Sequence, residues 1–330
     1  MSVFTFGETM VALRGSGPLK LGGTMAVSVA GAESNVAIGL ARLGHPVHWA
    51  GSVGADEAGE LVLRTLRAEG VDVSGAARAG DAPTGLILFE PRLPEVTRVH
   101  YYRAGSAGSL VSADDVDRAF GAAFGADPGT AFDAAGEPPR VLHLTGITPA
   151  LSPAARAAAE RALELACEHS VLVSLDVNYR SRLWSTQQAS AVLRSWAPRA
   201  DVLIASDDEL PLCLPDGSPD DTALLARALL DAGAGEVVVK LGAAGATAYT
   251  SGGKRHCPAR PVRSVDPVGA GDAFVAGYLS ALLDGADTAS RLHRAVTTGA
   301  FAVATPGDWE GAPTRAELGL LAADSGTVVR

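Results

Sequence analysis

The chain predicts an α/β fold: a three-layer α/β/α sandwich around a mostly parallel central sheet, with a small β-sheet lid. Three observations carry this expectation. Short β-branched or apolar runs alternate with Ala/Leu/Arg-rich helical runs, an order that lays strands parallel and puts helices on both sheet faces. Two strand-like stretches lack the intervening helices such units need. Finally, 330 residues with 47% hydrophobic content supply a core for one large domain, read here as residues 1–330.

Taken in order, residues 3–7 read as a strand and residues 24–29 as a second. Residues 35–43 (NVAIGLARL) read as a helix stopped by Gly44. Residues 47–53 are strand-like, and 57–69 are helical up to Gly70. Residues 85–102 again read as strands. With 24–29 they are expected to form the lid, within about residues 9–30 and 84–110. Residues 121–139, rich in Gly, Ala and Pro, read as a surface connection. The second half is more regular: strands at 140–144, 171–176, 202–205 and 236–240, and helices at 153–169 and 273–283. Trp184, Trp196, Phe274, Tyr278 and Leu282 read as core.

Composition excludes several functions. A formal net charge of -10, with 19% charged residues, argues against general affinity for nucleic acid or a membrane surface. Cys167, Cys213 and Cys257 are far apart and odd in number, without metal-type spacing or a disulfide framework, so unpaired thiols in a reducing compartment are expected. MSVFTFGETM lacks a basic segment followed by a long apolar one, and no apolar stretch approaches membrane-spanning length. A cytoplasmic protein is expected. No P-loop, GxGxxG after the first strand, or HExxH motif is present.

The chemistry concentrates in DPVGAGDAFVAGYL, residues 266–279. Gly269, Ala270 and Gly271 sit at an expected helix start, where free N–H groups and the helix dipole make an anion site. Asp272 puts a carboxylate beside the same anion. That suits a base taking a proton from an attacking hydroxyl while the amides stabilise a transferring phosphoryl group. Read alone, Gly-Ala-Gly-Asp favours a glycine-rich turn with Asp272 as helix N-cap; the full fourteen residues shift that reading.

The full stretch resembles the C-terminal signature of the ribokinase-like (PfkB) carbohydrate kinase family. AGAESNVAIGLARLG (residues 30–44) and VGADEAG (53–59) are similar to that family's N-terminal blocks. The resemblance implies a ribokinase-like sandwich, with Asp272 as catalytic base and Gly269, Ala270 and Gly271 as anion hole. Within the family, GAESN (31–35), YYRAGSAGS (101–109), HLTGITPALSP (143–153), DVNYRSRLW (176–184) and PGDWEGAP (306–313) resemble the 2-keto-3-deoxygluconate kinase subgroup.

That resemblance places Gly31, Ala32, Glu33, Ser34, Asn35, Tyr101, Arg103, Ile147 and Asp308 around a sugar acid. Arg103 is the natural cation, because a guanidinium holds a carboxylate in a fork; Tyr101 offers a hydroxyl and a flat apolar face. Alone, Arg103 also fits a surface ion pair, and Asp308 a turn aspartate after Pro-Gly. Asn178, Tyr179 and Arg180 follow an expected strand end and are assigned to the nucleotide phosphates, with Arg180 as a clamp on the transferring group. Lys240, Gly242 and Gly245 of KLGAAGA are assigned to the ATP site, although Gly-x-x-Gly alone also fits a hairpin turn.

Ser206-Asp207-Asp208-Glu209 stands where the family shows Asn-x-x-Glu; Glu209 is retained for an indirect magnesium role, and Ser206 replaces the asparagine. Ile87 stands where the subgroup shows a tyrosine, which keeps fructose, or another keto sugar or sugar acid, open as acceptor. A catalytically silent sugar-binding regulator on the same fold is the remaining alternative. ATP and Mg2+ are the implied co-reactants, with a monovalent cation left open. A homo-oligomer is expected from the exposed edge of the lid sheet.

Overall fold

The computed structural model describes residues 2–93, 96–123, 139–218 and 220–322. Strands β1 (Val3–Phe6), β2 (Met10–Gly15) and β3 (Met25–Ala30) lead to helix α1 (Ala32–Arg42). Next come β4 (Val47–Ala50), β5 (Ser52–Gly54), α2 (Glu57–Ala68), β6 (Ala77–Ala79), β7 (Leu86–Leu93), β8 (Val96–Tyr102) and α3 (Ala113–Ala123). The regular half runs β9 (Val141–Thr145), α4 (Thr148–Leu151), α5 (Pro153–Glu168), β10 (Leu172–Asp176), α6 (Thr186–Trp196), β11 (Val202–Ser206), α7 (Thr222–Ala232) and β12 (Glu236–Lys240). The hairpin β13 (Ala246–Thr250) and β14 (Gly253–Cys257) precedes α8 (Ala270–Leu283) and α9 (Thr288–Val303).

The main sheet has the order β14-β13-β12-β11-β10-β9-β1-β4. From β12 to β4 every pair is parallel, and β13 and β14 add an antiparallel edge. Alternate side chains feed two cores. Phe4, Phe6, Leu142 and Leu144 pack with α3, α5, α6 and α7. Val3, Val141, Ile204 and Val238 pack with α1, α2, α8 and α9. Burial on both faces explains the nearly continuous apolar strands. The chain runs outward from β1 in both directions, so β1 and β9 meet at a topological switch point, and their carboxyl ends open where α/β sheets bind ligands.

A second sheet, β3-β2-β7-β8, sits around Met10, Ala12, Ala30, Ile87 and Phe89. It contains both stretches expected to pair apart from the βα units, and it recruits β2 as well. Elsewhere the strand at 47–53 is two strands. It breaks at Gly51, where a Cβ would lie 2.5 Å from the Gly7 carbonyl, and β5 leaves to pair with β6. The connection expected at 121–139 falls mostly outside the described residues; residues 121–123 end α3. All three cysteines are free. Among the described residues no helix is long and apolar enough to cross a membrane.

Candidate active site

A cleft of about 1100 Å³ lies between the carboxyl edge of the main sheet and the inner face of the second sheet. The second sheet supplies Met10, Ile87, Phe89, Val99 and Tyr101; the main sheet supplies Asp176, Ser206 and Lys240. The start of α8 supplies Gly269, Gly271 and Asp272.

Helix α8 begins at Ala270, earlier than its apolar run suggests, because Gly269 turns the chain with φ 73°. A side chain is impossible there, since a Cβ would lie 1.7 Å from the Asp308 carbonyl oxygen. Gly269 is the N-cap and no side chain caps the helix. Ala270 N–H reaches the Pro267 carbonyl at 3.3 Å, while the N–H groups of Gly269 and Gly271 have no acceptor among the described residues. Such unfilled donors at a helix start favour an anion. Asp272 lies inside the first turn and is not the cap, which removes the glycine-turn alternative.

Asp272 is 9% exposed. Asn35 Nδ2 of α1 donates to its Oδ2 at 2.7 Å, across 237 positions of sequence. Burial, reinforced by the charge of Asp176, pushes its pKa up to about 7, against the opposing pull of Asn35, Arg180 and Lys240. Lys240 Nζ donates to Asp176 Oδ1 at 2.7 Å. Burial acts to strip the lysine's proton, but Asp176, Glu209 and Asp272 outweigh it and hold its pKa above the ordinary value. Asp272 therefore sits in a chain of alternating charge beside the strand ends.

The residues expected on the phosphate side differ in their surroundings. Arg180 is exposed at the cleft with no ion-pair partner among the described residues. Asn178 adopts φ 39° and lines the cleft. Glu209 is a clamp between loops: Oε1 accepts Tyr179 N–H at 2.7 Å and Oε2 accepts Ser206 N–H at 2.9 Å. Tyr179 spends its hydroxyl on the Trp184 carbonyl at 3.1 Å. Gly242 and Gly245, both at positive φ, shape the turn into β13 and are not among the cleft residues; neither is Ala270.

Of the residues expected around the sugar acid, Gly31, Ala32, Glu33, Asn35, Tyr101, Arg103, Ile147 and Asp308 all face the cleft. Ser34 does not, and its hydroxyl turns back to the Gly31 carbonyl at 3.0 Å. Glu33 accepts from Thr145 at 2.6 Å and Thr148 at 2.8 Å, and burial raises its pKa. Arg103 is not the free cation that its position in YYRAG suggested. Its Nε donates at 2.6 Å to Glu8 Oε2, which Nη2 also contacts, and Ser106 donates to the other Glu8 oxygen. Nη1 stays outside that pair. Asp308 is likewise engaged, accepting from Arg14 at 2.6 Å.

Sequence reasoning missed Glu8, Arg14 and Asp176 as site residues. Glu8 and Asp176 had one usable signal, a carboxylate at or just past the carboxyl end of a strand. Arg14, a single charge on a strand of the second sheet, had none.

A cleft at a switch point, with a helix amino end and a buried carboxylate of raised pKa, has the makings of a phosphoryl-transfer site in an α/β enzyme. A sequence profile described as pfkB family carbohydrate kinase matches residues 2–315, and the chain belongs to that family. It is 35% identical to the 2-dehydro-3-deoxygluconokinase of Bacillus subtilis (strain 168), over 96% of this chain and 94% of that protein. It is also 35% identical to the enzyme of the same name from Thermoproteus tenax, over 96% and 93%. The crystal structure of 2-dehydro-3-deoxygluconokinase from Thermotoga maritima superposes with a TM-score of 0.83 at 25% identity, covering 98% of this chain and 100% of that one.

Proposed function

We propose that this kinase transfers the γ-phosphoryl group of ATP to the primary hydroxyl of 2-keto-3-deoxygluconate (2-dehydro-3-deoxygluconate is the same compound). The product is 2-keto-3-deoxy-6-phosphogluconate. The observation that carries the chemistry is Asp272, with a pKa near 7, in the first turn of α8 beside the free N–H groups of Gly269 and Gly271. Asp272 takes the hydroxyl proton, the hydroxyl oxygen bonds to the γ-phosphorus, and the bond to the β,γ-bridging oxygen breaks to release ADP. The amides and Arg180 stabilise the charge in transfer. The substrate assignment rests on relatives that carry this activity in their names across nearly the whole chain.

Arg103, held by Glu8, presents Nη1 toward the acid group, with Tyr101 against the sugar face. Asn35 Oδ1 is buried without a donor, so a sugar hydroxyl is its natural partner. Mg2+ arrives on the ATP phosphates, because ATP is used as its magnesium complex. Glu209, with an amide on each oxygen, acts on it through water. Cytoplasmic ATP and three free thiols fit one compartment. Pairing of the second sheet's open edge with another copy belongs to the same reading.

The test is ADP release with magnesium-ATP and a panel of 2-keto-3-deoxygluconate, 2-keto-3-deoxygalactonate, 2-ketogluconate, fructose and ribose. The 3-deoxy keto acids are expected to win, and Arg103→Ala to raise KM for them but hardly for fructose. Preference for a neutral sugar would keep the kinase and remove the sugar-acid assignment, with Ile87 the residue responsible. Asp272→Asn is expected to fold normally and lose nearly all turnover.

A further inference from the structure

Arg14 lies on β2 of the second sheet and is not among the residues lining the cleft. Both terminal nitrogens of its guanidinium are nonetheless engaged, while its buried Nε has no acceptor among the described residues. Nη1 donates to Asp266 Oδ2 at 3.0 Å and Nη2 to Asp308 Oδ2 at 2.6 Å, while its carbon lies 4.1 Å from the centre of the Phe89 ring. The two carboxylates belong to different turns. Asp266 opens the turn into α8, and its Oδ1 accepts Val268 N–H at 3.1 Å. Its Oδ2 accepts Gly307 N–H at 3.3 Å, which ties that turn to the one after α9. The turns meet at Gly269, where the Asp308 carbonyl occupies the space of a side chain.

We propose that Arg14 is a positioning residue that couples the second sheet to the anion hole: seated on Asp266 and Asp308, it fixes the turn whose amides receive the phosphoryl group. Electrostatics supports the geometry. Burial pushes the Asp308 pKa up to about 6 even with Arg14 beside it, and Asp266 and Glu310 add to that push. Without Arg14, two carboxylates face each other at the mouth of the anion hole, repel one another and shift the turn whose amides meet the charge in transfer. The anion hole is thus complete only while the second sheet is seated. This inference rests on the assignment of Gly269 and Gly271 as phosphoryl-binding amides, but not on the identity of the sugar.

The test compares Arg14→Met and Arg14→Lys with the wild type, on whichever sugar the wild type phosphorylates best. Arg14→Met is expected to lower kcat by about 10²-fold, with KM for sugar and ATP changed by less than about threefold. Arg14→Lys recovers part of that loss, because an ammonium can reach one carboxylate. Amide hydrogen exchange at Val268 and Gly307 accelerates in the Met variant and much less in the Lys variant. A raised sugar KM at unchanged kcat would make Arg14 a substrate contact and overturn the proposal. A kcat falling only in step with the folded fraction, read by thermal melting, would make it merely structural and overturn it too. Should Arg14→Met not fold, the Lys variant decides: reduced kcat at constant KM supports the coupling, and wild-type kcat ends it. Phosphorylation of an unexpected sugar by the wild type overturns the substrate assignment and leaves this comparison intact.

Discussion

Asp272 shows how one side chain is tuned by burial. Its folded pKa near 7 lies above the ordinary aspartate value of 3.8, so as a base it is half-ionised near neutrality. The acidic limb of kcat/KM is expected to climb about tenfold per pH unit and level off near pH 7. Asn35→Asp places a second carboxylate against Asp272 and should move that limb to higher pH; an unmoved limb would assign it to another group. Stability follows the same shift with a definite sign. The folded state holds the proton more tightly, so ionising Asp272 costs stability increasingly from pH 3.8 to about 7, and fully above. Asp272→Asn removes that cost, so its melting temperature should exceed wild type at pH 8 and match it near pH 4. Asp272 was legible because its amides are its neighbours in sequence. The Glu8 partner of Arg103 was not, since 95 positions separate them.

At the scale of elements, the proposed chemistry turns on the start of α8. A helix that begins on a left-handed glycine leaves its first amides uncapped and aimed outward. Gly269→Ala strains that φ and drives a methyl into the Asp308 carbonyl. Turnover should fall by about 10²-fold, with stability lowered by about 1–3 kcal/mol. A variant with wild-type kcat would show that the turn does not shape the anion hole. The βα alternation was readable because 3.6- and 2-residue periods are local properties of the chain. The break at Gly51 was not readable, because the Gly7 carbonyl that leaves no room for a side chain there is brought to it only by folding. Likewise the two glycines of KLGAAGA form a hairpin turn, and composition alone could not place them beside or away from the cleft.

For the whole molecule, the second sheet closes one wall of the cleft and is tied to the main body at several points. One is the Arg14 bridge, and others are Trp309 Nε1 donating to the Val29 carbonyl of β3 at 3.0 Å and Ser28 of β3 donating to Glu310 at 2.5 Å. Another is Arg182, after β10, whose Nη1 donates to the Val99 carbonyl of β8 at 2.7 Å. Cutting this last tie with Arg182→Ala should loosen the wall without touching the base. The expected result is a higher sugar KM and faster ATP hydrolysis in the absence of sugar, because water reaches the phosphate. Unchanged values of both would show that this tether does not govern access.

What the sequence determined by itself is what neighbours along the chain can encode: alternating elements, a glycine-rich helix start, and a carboxylate beside it. DPVGAGD carries the proposed anion site and the proposed base on adjacent residues. Only the tertiary structure decided how charge is shared there. Lys240 is claimed by Asp176, Arg103 by Glu8, and Asp308 by Arg14, in pairs 64, 95 and 294 positions apart. An ion pair depends on distance in space, and the sheet order that brings strand ends together sets that distance. A charge read in sequence is therefore a candidate ligand until folding shows which opposite charge already holds it.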